Sequence, residues 1–285
     1  MPIFTKKRLL KLYSTYWLVF IIFVPISMLL LGVSFESTFS PRVSYPYIGG
    51  LAQFLGLHML YGGYGFNPTW WFMTAIIILY ILFPFIDLII EKYSYWALFV
   101  VAVYIILSGG GKLAFVNRYI LPFTIGVFLN KWNLSEEHFL NRKISSLPRL
   151  LSLLFLCLAF TFFWAKFSPS PIKGLVWHYV FDLCLLSLFL IFTAVYLSKT
   201  ISLVKKMLLL LGKHSFTVFL THTFLYYLWF PEFFYSFKHP FFIMTALTLS
   251  SLLLAIALDK IHAKTIAILE NFLNEFHSHK FTKQS

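Results

Sequence analysis

The chain has 285 residues, of which 60% are hydrophobic and 12% charged, with 35 phenylalanines and a net charge of +13. A soluble domain carries about 25% charged residues, so this composition excludes an ordinary soluble protein and points to a polytopic membrane protein. The positive balance does not signal nucleic acid, because the basic residues sit between apolar runs and form no separate basic domain.

Lys6, Lys7, Arg8 and Lys11 stand directly before the first long apolar run, 12–33. A basic cluster against a span fixes topology, because cytoplasmic loops keep their Lys and Arg. Arg8 and Lys11 are three residues apart, so on a helix they share a side and can meet an anionic substrate. The plainer alternative is a topology anchor. The run is too long for the apolar region of a signal peptide and lacks a small-residue cleavage pattern, which makes it a retained span.

A hydrocarbon core about 30 Å thick asks for roughly 20 apolar residues per helix. Runs of that order, some shorter, occur at 12–33, 70–90, 94–108, 114–130, 150–166, 175–197, 214–231 and 240–258. The expected fold is an all-α transmembrane bundle of about eight spans. Gly109-Gly110-Gly111 divides the short third and fourth runs, which suit tilted or partly re-entrant helices. The moderately apolar, Gly-punctuated piece Ile48–Tyr61 reads as a re-entrant or interfacial segment after the first span.

Charge supports the count. With the N-terminus inside, seventeen of the twenty-three Lys and Arg residues fall in cytoplasmic segments. Only Arg42, Lys112, Lys166, Lys173 and Lys238 fall outside, and Arg118 lies within a span. A miscount by one span would scramble this asymmetry, so both termini are expected in the cytoplasm. After Asp259, residues Ile261, Thr265, Ile268, Leu269, Phe272, Leu273 and Phe276 recur at helical spacing among charges. This predicts a membrane domain over 1–258 and a cytoplasmic amphipathic tail over 259–285, lying along the inner membrane surface. Partner binding is the other use for such a tail. Cys157 and Cys184 both fall in apolar runs and read as buried thiols. No Gly-rich phosphate loop and no Cys/His metal spacing occurs, so no bound cofactor or metal is expected.

Ionisable groups within spans cost about 2.5–3.5 kcal/mol each on insertion scales and usually face the bundle interior or water. His178 and Asp182, four apart, share a helix face and can hydrogen-bond, either as a catalytic pair or as an interhelical clamp. Arg118, one turn into its span, either snorkels to the headgroups or lines a sugar or phosphate pocket. Asp87, near the inner end of the second span, reads as reaching the interface. Ser215 and His222 lie near one helix face two turns apart, too far for a direct Ser–His pair on one straight helix. Packing and interhelical hydrogen bonding are the plain reading there.

Three segments in order resemble the integral-membrane acyltransferase-3 family. Phe4-Thr5-Lys6-Lys7-Arg8-Leu9-Leu10-Lys11 is similar to the family's cytoplasmic Arg-x-x-Arg segment, with Lys11 in place of the second Arg and with Tyr16-Trp17 following. Trp70-Trp71-Phe72-Met73, with Tyr80 and Pro84 downstream, is similar to its Trp-Ser-Leu…Tyr…Pro segment. The Glu often found five residues after the Trp is Ile76 here, as in a branch that includes proteins of intercellular-adhesin polysaccharide modification. Leu211-Gly212-Lys213-His214-Ser215 with Leu220-Thr221-His222 resembles the late Leu-Gly-Lys-x-Ser…Leu-x-His pattern.

The resemblance implies a multi-pass protein of the bacterial plasma membrane. It would move acetyl or succinyl from acyl-CoA to a hydroxyl of a surface polysaccharide or related carbohydrate. Its contacts would be membrane lipid, acyl-CoA and the carbohydrate acceptor. Arg8 and Lys11 would hold the anionic part of acyl-CoA, while Arg118, Trp71 and Asp182 would contact substrate. The family's presumed catalytic histidine follows an Arg/Lys-x10-His pattern ahead of the Arg-x-x-Arg segment. None of the nine histidines here has Lys or Arg eleven positions before it. The chain therefore looks like spans three to ten of the family. A misassigned start, a remnant, or a separate partner supplying the first two spans would each account for that. His222 and His178 are the substitute bases. The competing expectation is a non-catalytic transporter or exporter of polysaccharide or lipid-linked sugar, against which stand the lack of internal repeats and the scarcity of intramembrane carboxylates.

Overall fold

A computed structural model describes residues 2–36, 45–61, 65–94, 96–101, 114–131, 151–152, 154–155 and 186–281. The described residues are helical, with turns and no strand. A helix satisfies every interior backbone group within one segment, which a chain this apolar needs away from water. Among the described residues three helices are long and apolar enough to cross a membrane: Arg8–Leu31, Trp71–Tyr93 and Pro240–Ile268. Tyr119–Phe128 and Phe189–Thr200 are apolar but shorter. Most of the expected spans 94–108 and 150–166 lies outside the described residues. The helices turn large apolar side chains outward. Leu29, Phe85 and Leu253 are 82%, 62% and 69% exposed, a surface suited to lipid rather than water.

The chain divides into two compact units, Met1–Thr74 with Leu210–Ser285, and Ala75–Leu209. The first is built on α1 (Pro2–Leu31). Helix α2 (Pro46–Phe54) and a 3-10 turn (His58–Tyr61) coincide with the Gly-punctuated segment. Phe54 stacks on Trp17 at 5.5 Å and meets Phe20 edge-on. Trp17 is fourteen residues before Leu31, about 21 Å back along the helix, so the segment folds deep along α1.

The last carbonyls of a helix have no intrahelical partner and must find donors elsewhere. At the end of α2 these come from α1. Tyr13 donates to the Leu55 carbonyl at 2.9 Å, Trp17 Nε1 to Phe54 at 3.0 Å, and the buried Tyr16 hydroxyl to Gln53.

Helix α3 (Trp71–Tyr93) starts in the first unit. Its leading residue Trp70 is fully buried, packing on Tyr16, Phe20 and Phe224. The second unit contains the rest of α3, α4 (Ala114–Lys131) and α5 (Leu186–Thr200). Its core gathers Ile86, Ile90 and Ala97 against Leu82, Phe123, Val127 and Phe128. Asp87, near the inner end of α3, is 7% exposed. Lys131, forty-four residues on, takes its carboxylate at 3.2 Å and that of Glu91 at 3.0 Å. The Glu91 hydrogen bond, with the help of Asp87, raises the Lys131 pKa above its ordinary value.

Helix α6 (Ser202–Thr223) begins twelve residues before the expected 214–231 run and continues as a π segment, Phe224–Trp229. After the short α7 (Pro231–Ser236), helix α8 runs unbroken from Pro240 to Phe281. The tail expected after Asp259 is thus continuous with the last long helix, since neither Gly nor Pro follows Pro240 within it. Ile261 and Ile268 are 47% and 68% exposed.

Candidate functional site

The late polar segment of α6 faces three neighbours. One face meets the loop before α3. Asn67 is fully buried, and its Oδ1 accepts from Thr223 Oγ1 at 2.6 Å, Thr69 Oγ1 at 2.7 Å and the Thr69 amide at 2.9 Å. Trp70 Nε1 donates to the Leu220 carbonyl at 3.2 Å. Leu220 lies one turn before the π segment, where the helical ladder changes register and side-chain donors can replace backbone ones.

A second face meets α8. His214, 6% exposed, pairs through Nδ1 with Asp259 Oδ2, while Thr217 Oγ1 donates to Asp259 Oδ1 at 2.6 Å. One carboxylate therefore joins two turns of α6 to α8.

The third face opens on a largely apolar cavity of about 350 Å³ between α6 and α8, lined by Leu211, Ser215, Val218, Phe219 and His222 on one side and by Leu247, Thr248 and Ser251 on the other. His222 Nδ1 lies 3.1 Å from the Val218 carbonyl and 3.0 Å from that of Phe219. Carbonyls only accept, so Nδ1 carries a proton, and Nε2 is the ring nitrogen not engaged by the backbone. Tyr226 stacks on the ring at 6.0 Å and Phe219 flanks it at 6.0 Å. Backbone carbonyls and aromatic neighbours hold the ring in one orientation, in which Nε2 is the nitrogen left to exchange a proton with a ligand.

Ser215 and His222 line this same cavity, although Ser215 donates its hydroxyl to Gly212 O at 2.9 Å. Ser251, across the groove, is 1% exposed and its hydroxyl has no hydrogen-bond partner. Sequence reasoning missed Ser251 and the His214–Thr217–Asp259 cluster. The available signal for the cluster was the spacing of His214, Thr217 and Thr221 on one helix face, together with a carboxylate at the end of the apolar run 240–258.

Arg8 and Lys11 are exposed on the first turns of α1. Trp71 is half-buried and packs edge-on against Phe72. Arg118 stands on the first turns of α4 in the second unit. His178 and Asp182 lie outside the described residues. Among the described residues no group of three His, Cys, Asp or Glu side chains converges to hold a metal ion.

Outside the spanning helices, His58 is 2% exposed with neither ring nitrogen hydrogen-bonded. Burial pushes its pKa down to about 4, which keeps the ring neutral near pH 7. Gly65 sits against it, and a Cβ there would lie 2.8 Å from Nε2.

Residues 1–260 match the family model described as the acyltransferase domain of the acyltransferase-3 family, and the chain belongs to that family. No curated protein and no solved structure matches it. Family and apolar helices together make it a membrane protein.

Proposed function

We propose that this acyltransferase-3 protein transfers an acyl group, acetyl or succinyl, from acyl-CoA to a hydroxyl of a cell-surface carbohydrate, with His222 as the general base. The observation that carries the reading is the His222 tautomer. Its Nδ1–H is committed to two backbone carbonyls, which leaves Nε2 to take the proton of an attacking hydroxyl beside the cavity. The apolar lining suits a short acyl chain and the pantetheine arm of CoA. Arg8 and Lys11 supply cations for the CoA phosphates. Trp71, Arg118 and Asp182 are the proposed acceptor contacts, and His178 a supporting base. The protein would sit in the bacterial plasma membrane with eight spans and both termini cytoplasmic.

The test uses the full chain in detergent with radiolabelled acetyl-CoA or succinyl-CoA and a carbohydrate acceptor. His222→Gln should lower the transfer rate by roughly a hundredfold to ten-thousandfold, the usual worth of a general base, while leaving CoA affinity unchanged. An unchanged rate removes His222 from the chemistry. Carbohydrate movement across vesicles without acyl transfer would replace the enzyme by a transporter.

A further inference from the structure

The cavity between α6 and α8 holds a buried hydroxyl whose state differs from that of Ser250 beside it. Several Ser and Thr hydroxyls of these helices back-bond to the preceding turn. Thr221 donates to Thr217 O, Thr245 to Phe241 O, and Ser250 to Ala246 O. Ser251, one residue on, makes no such bond. It is buried, without a partner, and lines the cavity. A buried hydroxyl left unpaired forgoes a hydrogen bond and calls for an explanation.

Helix register brings Ser251 to His222. Asp259 is pinned to His214 and Thr217. The chain reverses through α7, so α6 and α8 run antiparallel. Ser251 lies eight residues back from Asp259, and His222 eight residues on from His214. Each step is about 12 Å of helix in the same direction. The free hydroxyl therefore stands at the height of the imidazole whose Nε2 is available, on opposite walls of one groove. A volume of about 350 Å³ is near the low end of the roughly 300–1,000 Å³ that holds one drug-sized ligand. A groove that admits one reacting arm at a time favours two successive half-reactions over a ternary complex.

We propose that Ser251 is the nucleophile that carries the acyl group between donor and acceptor, activated across the groove by His222. The proposal rests on the acyltransferase reading above. In the first half-reaction the Ser251 Oγ–acyl carbon bond forms and the thioester C–S bond breaks. The Oγ proton passes to His222 Nε2 and on to the departing CoA thiolate, which leaves as the thiol. In the second, the acceptor hydroxyl forms its bond to the acyl carbon as the Ser251 ester bond breaks. His222 takes the acceptor proton and returns one to Oγ. A covalent intermediate of this kind gives a burst of first product.

The test mixes the full chain in detergent with [14C]acetyl-CoA in the absence of acceptor, following free CoA by thiol reagent and protein label by peptide mass spectrometry. Expected are a burst approaching one equivalent of CoA and an acetyl group on the peptide carrying Ser251, stable to neutral hydroxylamine as an oxygen ester. Ser251→Ala should abolish the label and Ser250→Ala, beside it but outside the cavity wall, should keep it. Ser251→Cys should convert it to a hydroxylamine-labile thioester, which shows that the site is intact when the alanine variant is silent. CoA release without label, or label on another residue, overturns the Ser251 assignment and leaves the acyltransferase reading standing. No CoA release without acceptor, with transfer restored once acceptor is added, overturns the covalent step alone; no CoA release from the wild type even with acceptor overturns both.

Discussion

Asp259 is the joint between α6 and α8, and its removal tests the groove at its base. The carboxylate accepts from Thr217 at 2.6 Å and pairs with Nδ1 of His214, which is 6% exposed. Asp259→Ala removes both partners. Thr217 can turn its hydroxyl to a carbonyl of the preceding turn, as Thr221 does, so its loss should approach the average of about 0.6 kcal/mol for hydrogen bonds between membrane helices. His214 has no such escape. A buried polar group left unsatisfied costs about 1–3 kcal/mol. The expected loss is then about 2 kcal/mol, a thirtyfold fall in the folded-to-unfolded ratio. Thr217→Val should cost about 0.6 kcal/mol, and less in the Asp259→Ala background, because the bond is already gone. The assay is SDS-driven unfolding of the full chain in mixed micelles, read by far-UV circular dichroism. Unfolding of Asp259→Ala at the wild-type SDS fraction, or a Thr217–Asp259 coupling within error of zero, would refute the joint.

Two further outcomes are expected. His58 has a folded pKa of about 4 against an ordinary value of 6.5, so below pH 6.5 the unfolded chain takes up a proton that the folded chain refuses. Stability should be full above pH 6.5 and fall as pH drops, with about 3 kcal/mol gone once pH passes below about 4. A His58→Leu chain that keeps the wild-type slope of unfolding midpoint against pH would sink this account. For the cationic pair, calorimetric titration of CoA should give a tenfold to hundredfold weaker affinity for Arg8→Ala, with Arg8→Lys less affected because the ammonium keeps the charge but not the paired hydrogen bonds. Equal binding by Arg8→Ala and wild type would return Arg8 and Lys11 to a topological role.

The parts of this molecule that were legible in the sequence are those set by local pattern. Apolar length marked Arg8–Leu31, Trp71–Tyr93 and Pro240–Ile268, because a span is a property of one segment. Glycine spacing marked the segment after α1, where Gly56 takes a positive φ of 69° that favours glycine. What stayed hidden was pairing across the chain. Tyr16 and Trp17 read as motif residues, yet their polar atoms end on carbonyls thirty-seven positions away. Asp87 reads as interfacial, and its ion-pair partner Lys131, forty-four positions on, is not marked by any local pattern. Asp259 reads as the first residue of a polar tail, and its place beside His214 appears only when α6 and α8 are packed.

Ser250 and Ser251 show why candidate chemistry is harder to read than spans. Both are serines in one apolar helix, and neither composition nor periodicity separates them. One residue of helix is a rotation of about 100°. That rotation, with the rotamer that goes with it, decides the environment of each hydroxyl. Ser250 satisfies itself on its own helix at Ala246, while Ser251, buried and without a hydrogen-bond partner among the described residues, belongs to the wall of the groove that His222 lines from the other side. A hydroxyl spent on its own backbone is a poor nucleophile, because its lone pairs and proton are already engaged in a stable local bond. The difference between the two is therefore chemical as well as positional, and it arises from the pairing of α6 with α8 that Asp259 fixes two turns away.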